Sequence, residues 1–370
     1  NSISTSNVNV VLSGNISGTG SMVVNAASGK FSLTGTNTYV NTTINSGTLQ
    51  IGNGGTVGNL GTGNVVDNGT LAFNRTNTYS FSNVVSGTGS LSQVGAGSVL
   101  TLLGLNTYNG GTSVTAGTLK MGLASVGSVG AITSGALGSG NATVSSGGAI
   151  DLNGYTLLNS ATLAGTGVSS GGVLMNSSAS AVTVSSPITL AGSATLISTP
   201  GITLGTVNGG AYALNVTAGT GAGTGDITFN GALTFSGENI STFTASRNIY
   251  INAPITVNGT SSSSGIALKY NQANGGGDYV FGMTTSGTGA TLAASFNGAI
   301  NFAATASTFT TQSYNATAKS FTLVSALTSA GESTSTFYCS TTTNCSASNS
   351  LNFALINNIN ASSFTGSNVR

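Results

Sequence analysis

The chain has 370 residues, 56 of them Gly, with no His and no Trp, and its 7 Lys and Arg against 6 Asp and Glu leave a formal net charge of +1. So few and so scattered bases exclude a nucleic-acid surface, which needs clustered Lys and Arg, and the absence of His excludes the Ser-His-Asp and Cys-His triads. No apolar run approaches the ~18 residues of a membrane span, yet 39% of residues are hydrophobic and regularly spaced, which separates the chain from disordered sequences.

The chain starts at Asn1 without Met and is expected to be a processed form or a fragment. Asn7–Gly14, NVNVVLSG, alternates as a strand at once, with no amphipathic helix ahead of it. Ser17–Gly52 (SGTGSMVVNAASGKFSLTGTNTYVNTTINSGTLQIG) is then written a second time at Ser86–Gly122 (SGTGSLSQVGAGSVLTLLGLNTYNGGTSVTAGTLKMG). Ser17 recurs as Ser86 and Tyr39 as Tyr108 at one and the same offset, which has grown by a single position where Leu49 recurs as Leu119. A fixed period, here of roughly 70 residues, predicts a solenoid, whose units bury apolar faces only by stacking on one another.

Within the period, a Gly turn followed by an alternating strand recurs as SGTLQIG at Ser46, NGTLAF at Asn68, AGTLKMG at Ala116 and GGAIDLNG at Gly147. The turns run to three to five residues rather than the two of a tight hairpin meander, which favours a parallel β-helix. Three coils per period give roughly 23 residues per coil, about 16 coils in all and a rod of roughly 75 Å. Stacked Asn and Thr ladders are expected between coils.

Beyond Gly165 the pattern changes. A Pro-Ile-Thr corner occurs at Pro187 and Pro254, each opening a strand where a missing N–H is tolerated. YALNVTAGTGAGTGDITFNGALTFSG continues strand and Gly-rich turn, ALKYNQANGGGDY inserts a longer polar loop, and the last forty residues are less regular. They hold Cys339 and Cys345 in CSTTTNC, a spacing that suits a local disulfide in a secreted protein; two free thiols are the alternative. The expected organisation is 1–165, 166–330 and an irregular 331–370.

GTNTYVNTTINSGTLQIG and GLNTYNGGTSVTAGTLKMG resemble the passenger-associated repeat of bacterial autotransporters. DITFNGALTF, RNIYINAPITVNG, GIALKYNQANGGGDYVF and LNFALINNINASSFTG resemble filamentous-haemagglutinin-like exoproteins. The two resemblances imply secretion through the outer membrane of a Gram-negative bacterium, a right-handed β-helix, and a role as adhesin, biofilm component or stalk.

Candidate chemistry is sparse. The acids are Asp67, Asp151, Asp226, Glu238, Asp278 and Glu332. Even the closest two in sequence, Asp226 and Glu238, are well separated, so no pair is expected to meet as glycosidase carboxylates do. GTGAGTGD at Gly219 lacks the following helix of a phosphate loop, and GGGDY at Gly275 is a single imperfect copy of a calcium-binding repeat. Tyr39, Tyr79 and Tyr108 follow the same Asn-Thr dipeptide and are expected at equivalent places, as an internal aromatic stack or as an exposed sugar-binding stripe. The expected function is non-enzymatic, without cofactor or metal. Its partners are host or neighbouring-cell surfaces, glycans, or copies of the chain itself, since unblunted solenoid ends invite head-to-tail stacking into a homopolymer.

Overall fold

In the computed structural model the described residues are 2–4, 8–219, 225–286, 293–324 and 352–355, and nearly all the regular structure is short strand, with a single 3-10 turn at Val168–Ser170. The strands form parallel ladders between successive coils of a β-solenoid. One ladder runs the length of the rod through Val10, Phe31, Leu49, Leu71, Leu91, Thr112, Ala142, Ala161, Ile188, Val207, Leu233, Ile255 and Ile300. A second starts at Tyr79 and climbs through Leu100, Leu119, Ile150, Leu174, Leu196, Val216, Phe243 and Leu268 to Thr311. The third side carries Val182, Ile202, Ile227, Ile249 and Tyr279.

The thirteen rungs of the first ladder make about twelve turns, fewer than the 16 coils expected. Most of its steps take roughly 20 residues, the usual size of a solenoid coil, but those from Thr112 to Ala142 and from Ile255 to Ile300 are much longer. The surplus leaves the stack as hairpins, antiparallel Val126–Ser128 with Ala131–Ser134 and Met283–Ser286 with Ala293–Phe296. Such insertions lengthen a coil without adding a layer. At the far end Lys319–Val324 turns back antiparallel on Thr308–Gln312, which interrupts the parallel stacking there.

Alternation decides what each strand buries. In Gly117–Met121 the residues Leu119 and Met121 are fully inside, and Thr118 and Lys120 face outward. Leu49, Leu71, Leu91, Leu119, Ile150, Leu174, Leu196 and Leu268 are all 0% exposed. Each buried side chain of this size contributes about 1.5 to 3 kcal/mol. At the corners, amides bridge the coils: Asn37 Nδ2 donates to Asn59 O at 2.7 Å and Asn59 Nδ2 returns to Asn37 O at 2.8 Å. Asn83, Asn106 and Asn159 donate likewise to the Gly61, Ala136 and Gly140 carbonyls of a neighbouring coil. These amides reach backbone rather than stacking on one another as the expected side-chain ladders would, and they satisfy backbone oxygens that a corner would otherwise leave unpaired.

The sequence repeat and the coil are out of step. Thr42 pairs with Val65 and Val65 with Val85, and Val85 O accepts the N–H of Thr107. Three coils thus carry Thr42 to Asn106–Thr107, whereas its counterpart in the second copy, Thr112, comes later in the chain and stands on the ladder of Leu49, Leu71 and Leu91. The second copy is therefore advanced by one side of the rod. The expectation of three coils per repeat is corrected to three coils and one further strand.

Candidate functional surface

The three tyrosines do not occupy equivalent places. Tyr39 and Tyr108 are buried, with their hydroxyls on Thr42 Oγ1 at 3.0 Å and Thr112 Oγ1 at 2.6 Å. Burial is the main cause that pushes both phenols above their ordinary pKa. One coil later a Gly lies against each ring: a Cβ on Gly61 would come within 2.5 and 2.7 Å of Tyr39, and one on Gly138 within 2.9 Å of Tyr108. Those glycines belong to the matching pentapeptides Leu60-Gly-Thr-Gly-Asn64 and Leu137-Gly-Ser-Gly-Asn141. The pentapeptides are a readable signal for the position of the Tyr.

Tyr79 instead opens the second ladder and is half-buried. Its ring lies 6.2 Å from Phe73 and 6.5 Å from Phe81, and the Arg75 guanidinium lies 4.4 Å above it. Arg75 donates to the carbonyls of Thr56 and Gly58 and to Asn77 Oδ1, so it serves the loop that precedes the ladder. Arg75 and Tyr79, with Gln93, Ser98 and Leu100, line a shallow surface dip too tight to admit a water molecule.

The acids are dispersed, with one exception. Asp67 points inward and is 0% exposed; its pKa is raised to about 6, chiefly by burial. Asp151 is held at the end of its strand by Asn153 N–H, Ser177 N–H and Ser177 Oγ, with Lys120 Nζ at 3.4 Å. It is fully partnered, in keeping with a turn role. Asp226 and Asp278, far apart in sequence, share a column with Asn248 between them: Asn248 N–H donates to Asp226 at 2.9 Å and Asn248 Oδ1 accepts Asp278 N–H at 3.0 Å. Sequence spacing hid this pair, because long loops separate their coils. Burial raises the Asp226 pKa, but the hydrogen bonds from Arg247 and Asn248 outweigh it and leave the group lowered. Hydroxyl and backbone N–H donors from Ser261 and Thr260 lower Glu238 likewise. A glycosidase acid needs a raised pKa and access to substrate. The raised carboxyl, Asp67, is sealed inside the rod.

Among the described residues no three His, Cys, Asp or Glu side chains converge as a metal site, and no helix is long and apolar enough to cross a membrane. Gly219 and Gly225 flank a stretch, 220–224, outside the described residues, as are Glu332, Cys339 and Cys345. Asp278 of the GGGDY loop caps its neighbour's N–H, from Tyr279, at 2.8 Å.

What the outside presents continuously is a file of hydroxyls and amides. Register on the first ladder aligns the outward residues Ser92, Ser113, Thr143, Thr162, Thr189, Asn208, Thr234, Thr256 and Asn301. The third side adds Thr183, Thr203, Thr228 and Tyr250. Neither file contains a charge. One residue per coil sets the members about 4.8 Å apart.

The chain matches the passenger-associated-transport-repeat family at residues 28–51 and 93–121. These stretches carry the Gly-Thr-Leu turns at Gly47–Leu49 and Gly117–Leu119, together with Tyr39 and Tyr108. The match lies outside the segments that resemble filamentous haemagglutinin. No curated protein and no solved structure shows significant similarity to the chain.

Proposed function

We propose that the chain is part of the extracellular passenger of a Gram-negative bacterial exoprotein and works without catalysis, as a rigid adhesive rod. Its partner is a glycan or a glycan-coated cell surface, engaged along the flat sides rather than in a pocket. Two passenger-associated repeats and the parallel solenoid support the passenger reading. The observation that carries the adhesive reading is the uncharged file from Ser92 to Asn301, which offers a donor and an acceptor at every coil along most of the rod. A neutral hydroxyl is far cheaper to desolvate than an ion, so many weak hydrogen bonds to a sugar polymer can add along the file.

The test is retention of labelled bacteria or neutral polysaccharide on beads that carry the protein. Thr189→Arg with Thr234→Arg places two long cations in the file at outward positions, so the melting temperature should hold within a few degrees while retention is lost. Retention unchanged by the pair would sink the file as the binding surface. Release of reducing sugar from the polysaccharide would instead make the rod an enzyme.

A further inference from the structure

The core of the rod contains one carboxyl where its counterparts in the repeat have aliphatic side chains. Asp67 pairs in register with Ile44 of the coil before, and the corresponding residue of the second repeat copy is Val114. All three are 0% exposed. Asp67 Oδ1 accepts the N–H of Gly69 at 2.9 Å, and Oδ2 is buried with no hydrogen-bond partner. The next coil covers it with glycine: a Cβ on Gly89 would lie 2.5 Å from Asp67 Cγ and Oδ1, and Gly89 N–H is spent on Asp67 O. No hydroxyl or amide side chain is placed to reach Oδ2.

We propose that Asp67 is a proton-operated latch: with its carboxyl protonated the coil Val65–Phe73 stays closed on its neighbours, and ionisation loosens that coil locally within an otherwise uniform stack. A carboxylate sealed in this position is helped only by backbone N–H groups of its own turn, Gly69 and Leu71, and faces no cation, so its charge is poorly compensated. The groups packed against it agree. The strand beneath brings Ile44, the coil above brings Val85 and glycines, and the ionisable side chain that feels its charge is Tyr108, whose phenol burial already holds protonated. Arg75, on the same coil, is turned outward to the Thr56 and Gly58 carbonyls.

The sign follows from burial. The folded carboxyl holds its proton up to about pH 6, and the open one releases it near 3.8. The latch is therefore strongest below pH 4, weakens between 4 and 6, and stays weak above. Hydrogen exchange of the intact chain, corrected for the intrinsic rate at each pH, reads this directly. Protection at residues 65–73 should fall about a hundred-fold between pH 4 and pH 7, because each unit of pKa difference is tenfold, while protection at 188–204 stays level. Asp67→Asn keeps the acceptor for Gly69 and should abolish the fall; Asp151→Asn should leave it in place. Protection at 65–73 that does not change with pH in the unsubstituted protein overturns the proposal, as does an Asp67→Asn protein that still shows the fall. Should Asp67→Asn not fold, the first comparison alone decides.

Discussion

Tyr108 shows how little freedom one side chain has in this core. Its ring is closed over by Gly138, at φ +67, and its hydroxyl is 2.6 Å from Thr112 Oγ1, which also donates to Leu137 O. Tyr108→Phe removes one hydrogen bond and leaves the Leu137 carbonyl served, so it should cost about 1 kcal/mol in denaturant unfolding. Gly138→Ala combines a left-handed backbone with a methyl pressed on the ring, and should cost about 2 to 4 kcal/mol. The two effects should not add, because the residues touch. The same residues mark where sequence reading succeeds and fails. Asn-Thr-Tyr gives Tyr39 and Tyr108 the same local setting, a hydroxyl on a Thr and a Gly over the ring, but the tripeptide is too short to fix which side of a coil it occupies: the two stand one side of the rod apart, and Tyr79 has a different setting altogether. Asp67 was hidden for a different reason: Asp-Asn-Gly has the chemistry of an exposed turn, and only the register with Ile44 turns the carboxyl inward.

At the scale of strands, the Gly-Thr-Leu turns were legible because period-two alternation and Gly at the bend are local properties. The hairpin Val126–Ser134 was not, since its residues alternate like any coil strand, and nothing in them says that they leave the stack. It buries little: Val126 is 50% and Val129 43% exposed. Its base is already closed, because a Cβ on Gly135 would lie 2.9 Å from Ser125 Cα. Joining Ser125 to Gly135 directly should therefore leave the Thr112–Ala142 and Leu119–Ile150 pairs intact and change the melting temperature by only a few degrees. A large loss would assign the hairpin a role in holding its coil. Leu119→Asp is the opposite case. It puts a charge between Leu100 and Ile150 with no partner, and should cost more than about 4 kcal/mol; an unchanged thermal transition would contradict the register.

For the whole molecule, twelve layer steps along the first ladder give a rod of about 58 Å, shorter than the length of the chain alone suggests. Electron microscopy of the protein should show discrete rods of at least that length, and continuous fibres would point to stacking through the ends. The overall architecture was legible because a solenoid writes its period into the chain. The layer count was not, because insertions use the same residue types as coils. The offset between repeat and coil has an evolutionary consequence. A gene that grows by copying this unit does not merely lengthen its product: each added copy would swing everything beyond it by one side of the rod, and only a third copy would restore the original bearing.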